Sequence, residues 1–218
     1  KFSKTIEANK IWKKIVHNAW KSAEPGILFW DTIINESVPD CYADLGYKTV
    51  STNPCGEIPL CPYDSCRLLA INLFSYVENP FTDKATFNFE LFKKHIHIAQ
   101  RIMDDIIDLE LEKIDAIIAK IDEDPEVDEV KATERNLWFN IQKKAKEGRR
   151  TGIGITAEGD MLAALGIKYG SKKGNDFSVE VHKTLGIEAY RASVYAAKDR
   201  GAFAIFDAER EKNNPFIQ

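Results

Sequence analysis

Asn53, Cys55 and Glu57 occupy alternate positions in the run Ser51-Thr52-Asn53-Pro54-Cys55-Gly56-Glu57-Ile58-Pro59-Leu60, and a second thiol follows in Ser65-Cys66-Arg67-Leu68-Leu69-Ala70-Ile71-Asn72-Leu73. In an extended loop, residues two apart point the same way, so an amide, a thiol and a carboxylate would face one ligand together. The amide donates and accepts hydrogen bonds, the sulfur serves as a nucleophile or one-electron carrier, and the carboxylate is a general base. Pro54 and Gly56 shape the backbone between them. The competing reading is a tight turn around a buried, inert cysteine, the commonest state of a free thiol.

These residues need a scaffold. Ile11, Trp12, Ile15, Val16, Ala19 and Trp20 recur at helical spacing, which predicts a helix to Ser22 stopped by Glu24-Pro25-Gly26. Ile27–Trp30 reads as a short strand or extended segment. Glu36–Ser65 is irregular and holds four of the eight prolines. After Asn88, a good N-cap, Phe89, Phe92, Ile96, Ala99, Met103 and Ile106 mark the clearest helix, which Ile114, Ile117, Ile118 and Ile121 extend as far as Glu123-Asp124-Pro125. Further helices are expected from Thr133 to Glu147 with Gly148 as the stop, after a Thr156 cap as far as Gly166, and along Phe177–Ala196 to Gly201. Gly152–Ile155 and Ala202–Phe206 are strand candidates, with Asp207 capping a last turn. Helices dominate and strands are few, so the expected class is α/β with only part of its sheet in this chain.

The chain has 218 residues, 44% hydrophobic and 29% charged. That length can bury roughly 70% of the unfolded surface, so a core is within reach and disorder throughout is excluded. Thirty basic against 34 acidic residues give a net charge of −4, with no basic block to follow a nucleic-acid backbone. No apolar run is long enough for a membrane span, and no signal peptide is visible. Cys41, Cys55, Cys61 and Cys66 therefore read as cytoplasmic thiols rather than disulfide staples.

The run Asn53-Pro54-Cys55-Gly56-Glu57-Ile58, with Ser65-Cys66 and Ala70-Ile71-Asn72-Leu73 behind it, resembles the active-site loop of the catalytic chain of ribonucleotide reductases. Glu24-Pro25-Gly26-Ile27, Arg149-Arg150-Thr151-Gly152-Ile153-Gly154, Arg200-Gly201-Ala202-Phe203 and Asn214-Pro215-Phe216-Ile217 agree in order, so the resemblance covers nearly the whole of residues 1–218. It implies a helix-rich fragment of that family's ten-stranded α/β barrel. The Asn-Pro-Cys-Gly-Glu form is more similar to the adenosylcobalamin-dependent class II enzymes than to class I. By the same resemblance, Cys55 becomes a thiyl radical that removes the ribonucleotide 3′ hydrogen, Glu57 is the base at the 3′ hydroxyl, Asn53 binds the ribose hydroxyls, and Cys66 is one of two reducing thiols. The implied partners are a ribonucleotide, the rest of the reductase polypeptide, a dithiol protein such as thioredoxin and a second copy in a homodimer.

The departures set further expectations. The family places the partner of Cys66 upstream of Lys1, and neither Cys41 nor Cys61 matches that position, so both are expected to be structural or incidental thiols. The 218 residues alone are expected to be inactive, and no residue is assigned to hold the cobalamin. Substrate phosphorylation, di- or triphosphate, stays open, as do a class I chain with a separate radical subunit and a non-catalytic helical interaction module. Gly152-Ile153-Gly154-Ile155-Thr156-Ala157 fits a dinucleotide fingerprint, but Arg149-Arg150 stands where an apolar strand is required, so close strand packing is expected. Asp104, Asp105 and Asp108 with His95 and His97 lack a metal-binding Glu-x-x-His pair, and their helix face reads as solvated. His17 and His182 are expected in packing or surface roles. The acidic stretch Asp122–Glu129 reads as a solvated turn.

Overall fold

The computed structural model describes residues 3–218. Its longest element is α3 (Phe89–Glu123), preceded by α1 (Ala8–Ser22) and α2 (Trp30–Glu36). The Asn88 side chain accepts the Leu91 N–H at 2.9 Å, the cap that the sequence predicts, and the helix continues unbroken to Asp124. Phe92, Ile96, Ala99 and Met103 are buried; one turn further the core takes Ile107 and leaves Ile106 37% exposed. A stripe at three-and-four spacing can continue from 103 to either residue, and packing selects the second.

The chain then folds back through α4 (Asp128–Gly148), which starts five residues before the predicted Thr133. Gly148 is the last helical residue rather than the left-handed stop; Arg149 takes that conformation at φ 42°. A Cβ on Gly148 would meet the Tyr47 ring at 2.9 Å, so glycine here makes room for an aromatic neighbour. Strand β3 (Leu68–Asn72) pairs in parallel with β6 (Gly152–Thr156), from Leu68 opposite Gly152 to Asn72 opposite Thr156, with α3 and α4 in the crossover. Antiparallel ribbons join β1 (Ser51–Thr52) to β2 (Pro59–Leu60) and β4 (Val77–Glu78) to β5 (Thr86–Phe87).

Beyond β6 lie α5 (Glu158–Ala164), α6 (Lys172–Arg200) and α7 (Ala208–Glu211). Thr156 ends the strand instead of capping a helix, and Ala157 makes the junction at φ 61°. Leu73, Phe92, Ile96, Met161 and Val181 are fully buried in the core that α3, α5 and α6 build over the inward face of β3. Burying each such side chain contributes on the order of 1.5–3 kcal/mol. The fold is thus a helix-rich α/β arrangement in which, among the described residues, three two-stranded pieces stand for a sheet that does not close.

Three expectations change. Ile27–Phe29 belongs to no regular element and is exposed rather than a buried strand, and Trp30 opens α2, with Asp31 in its first turn where a negative charge suits the helix dipole. Ala202–Phe206 is no strand: Phe206 N–H bonds the Phe203 carbonyl in a turn, while Phe203 and Ile205 pack against the Tyr42 cluster. The polar side of α3 is not simply solvated. Asp104 and Asp108 receive Arg149 and Arg200, His97 Nε2 lies 2.8 Å from Glu188 of α6, and Gln100 donates to Thr151.

Candidate active site

Pro54 and Cys55 form the turn of the β1–β2 hairpin, and Gly56 closes it. Gly56 N–H donates to the Asn53 carbonyl at 3.0 Å, and the Asn53 side-chain oxygen accepts the Ile58 N–H at the same distance. The loop is therefore folded rather than extended, and the alternation that would aim residues 53, 55 and 57 together does not hold. Part of the Asn53 amide is spent on shaping the loop. Gly56 sits at φ 84°, a region that side chains disfavour. Cys55 and Glu57 are exposed at the tip, Asn53 is half-buried at its base, and Cys66 is exposed just before β3. No hydrogen bond among the described residues joins the side chains of these four.

What fixes the two thiol-bearing segments is a set of ion pairs that the motif reading did not single out. Arg67, its side chain only 5% exposed, pairs with Glu110 of α3 and donates to the Arg150 carbonyl at 3.1 Å. Arg150 pairs with Asp64 and donates to the Pro59 carbonyl at 2.9 Å. A Cβ at Gly152 would lie 2.7 Å from the Arg67 carbonyl, so the glycine lets β6 approach β3 at this point; Gly154 has no such neighbour. The one sequence signal for this network is the Arg149-Arg150-Thr151-Gly152 run.

Cys61 and Cys41 lie apart from the hairpin tip, with Tyr42, Tyr47, Phe203 and Ile205. Burial, reinforced by the nearby Asp64 carboxylate, pushes the Cys61 thiol up to about 11. Burial, with Glu211 adding to it, also raises Cys41. Tyr42 donates to Glu211 at 2.8 Å and accepts the Asp207 N–H at 3.0 Å, and Tyr47 donates to Glu147 at 3.3 Å. Neither thiol shares the hairpin's exposure.

Beside Gly56 and Pro59, an open groove of about 430 Å³ is lined by Ile27, Leu28, Phe29 and Ile33, and a second of the same size runs along Trp12, Val16 and Trp20 of α1. Thr32, Glu36 and Ser37 add polar groups to the first and Lys13 and His17 to the second, and no described residue is assigned to a corrin ring. No group of three or more His, Cys, Asp or Glu placed to hold a metal ion occurs among the described residues. No helix there is long and apolar enough to cross a membrane.

A partial α/β sheet wrapped by long helices, with a cysteine-tipped hairpin leading into its parallel strands, defines the class of protein. Residues 1–216 match the family model for the ribonucleotide reductase barrel domain. The chain belongs to that family. It is 32% identical over 213 residues to the vitamin B12-dependent ribonucleoside-diphosphate reductase of Thermoplasma acidophilum, covering 97% of this chain and 24% of the relative. The like-named protein of Mycobacterium tuberculosis is 29% identical, with 94% and 25% covered. Chlamydia pneumoniae ribonucleoside-diphosphate reductase subunit alpha is 28% identical, with 95% and 17% covered. Among solved structures, the Actinobacillus ureae class Id ribonucleotide reductase alpha subunit superimposes with a TM-score of 0.65 at 20% identity, over 90% of this chain and 33% of that one, a likeness of fold. The chain spans about a quarter of the length of the first two relatives.

Proposed function

We propose that this chain carries the radical-bearing part of a reductase that converts ribonucleotides to deoxyribonucleotides. The observation that carries the reading is the exposed Cys55 at the tip of a short hairpin, with the exposed Cys66 leading into the strand behind it. In the proposed reaction a Cys55 thiyl radical takes the 3′ hydrogen, breaking C–H and forming S–H, while Glu57 accepts the 3′ hydroxyl proton. The 2′ hydroxyl leaves as water. Cys66 and a second thiol supply two electrons and two protons and become a disulfide, after which Glu57 returns its proton to the 3′ oxygen and Cys55 its hydrogen to C3′. A dithiol protein restores the pair. Asn53 orients the ribose hydroxyls through the part of its amide not engaged by Ile58.

The names of the B12-dependent relatives support adenosylcobalamin as the cofactor and a nucleoside diphosphate as the first substrate to try. When bound, that cofactor supplies the initiating radical. The test is deoxyribonucleotide formation by the full-length polypeptide bearing this sequence, given ribonucleoside diphosphate and dithiol, with and without adenosylcobalamin. Product that requires the cobalamin is expected. Product only with a separate radical subunit would move the chain to class I, and none under either condition would overturn the reading in favour of an interaction module.

A further inference from the structure

We propose that Arg150 is the positioning residue that holds the Cys66 segment in fixed relation to the Cys55 hairpin, an inference that rests on the assignment of both thiols to one reaction. Three attachments converge on this residue. One guanidinium nitrogen pairs with Asp64, another donates to the Pro59 carbonyl at 2.9 Å, and the Arg150 carbonyl accepts from Arg67 at 3.1 Å. Pro59 opens the returning strand of the Cys55 hairpin, and Asp64 and Arg67 bracket Cys66. One side chain and its own peptide group thus tie down the base of one thiol loop and both flanks of the other.

The anchor itself is fixed. Arg150 lies two residues before the β6 pairing, and the close approach at Gly152 leaves that backbone little freedom against Arg67. Asp64 is only 5% exposed and also accepts from the Ser65 N–H at 2.9 Å, so the carboxylate is oriented before it meets the guanidinium. Arg149, next in the chain, points the other way, to Asp104 and Asp108 of α3. Helix docking therefore falls to Arg149, while every Arg150 contact goes to residues 59–67. A guanidinium can meet a carboxylate and a carbonyl at once from a planar fork, whereas a lysine ammonium is a single point charge on a flexible stem.

The experiment compares Arg150→Gln, Arg150→Lys and Asp64→Asn in the full-length polypeptide, beside Cys55→Ala and Cys66→Ala. Misplacing a reacting group by an ångström costs up to about 100-fold, so Arg150→Gln is expected to lower kcat by about that factor with KM for the ribonucleoside diphosphate changed by less than about threefold. Arg150→Lys should recover part of the loss. Amide exchange in residues 59–67 should accelerate in Arg150→Gln and Asp64→Asn while exchange in α3 stays as in the parent. Should Arg150→Gln fail to fold, Asp64→Asn breaks the same pair and is read the same way. Normal turnover or unchanged exchange in Asp64→Asn or a folded Arg150→Gln would overturn the positioning role. Full activity in both cysteine variants would instead overturn the assignment of the thiols, so the two failures are distinguishable.

Discussion

The β1–β2 hairpin and the pocket around Tyr42 and Tyr47 both hold cysteines drawn from one short stretch of chain, yet they treat the thiol in opposite ways. Cys55 stands exposed on a turn closed by its own backbone, whereas Cys61, six residues on, is buried among aromatic rings beside a carboxylate. Reactivity here is a property of place rather than of residue type. The pocket buries one thiol while the hairpin leaves another exposed, and the Asp64 carboxylate that pairs with Arg150 lies beside the buried one.

The largest expected contrast is in alkylation. A thiol pushed up to about 11 is thiolate in only about one molecule in a thousand at pH 8. Maleimide labelling followed by mass spectrometry should therefore modify Cys55 and Cys66 at least a hundredfold faster than Cys61. The Cys61 rate should climb about tenfold per pH unit between 7 and 9, because the thiolate fraction does so below the folded value. Equal rates at all three would erase the distinction.

Opening the pocket is the next largest change. Tyr47 is buried against Gly148, with the Lys144 ammonium 3.7 Å from its ring centre. Tyr47→Ala should cost about 3 kcal/mol in urea unfolding and speed Cys61 labelling, with Cys55 unaffected. The smallest effect is at the hairpin itself. Gly56→Ala forces a side chain into φ 84° and to 3.2 Å from the Leu28 Cδ2. A cost of about 1–2 kcal/mol is expected, read as a lower unfolding midpoint, with turnover reduced more than stability implies. A variant as stable and active as the parent would show that the turn does not constrain the thiol.

The sequence disclosed elements whose signals are local. A cap and a stripe sufficed for α3, and one amphipathic pattern placed α1, although Ile11, Trp12, Val16 and Trp20 stay exposed and no residue of that helix is buried. Periodicity reports a face, not its partner. Seven-residue α2 is too short for periodicity to show, and in Ala202–Phe206 it is Phe203 and Ile205 that pack against the Tyr42 cluster, with no strand pairing. The thiols were visible as residue types, but the hairpin was not, since residues 53–57 read as an extended loop and instead fold back through the Asn53–Gly56 turn. Nor was the fixation of the thiol segments: Asp64 and Arg150, or Arg67 and Glu110, lie far apart in the chain, and no local pattern signals that such charges meet.

The most direct test of the account is deoxyribonucleotide formation by the full-length polypeptide in two variants measured side by side, Cys55→Ala and Cys61→Ala. The first should lose at least about 1,000-fold in kcat, because the reacting sulfur is gone, while the second should keep turnover within about threefold once corrected for any loss of folded protein. Turnover that survives without Cys55, or that depends on Cys61 instead, would contradict it.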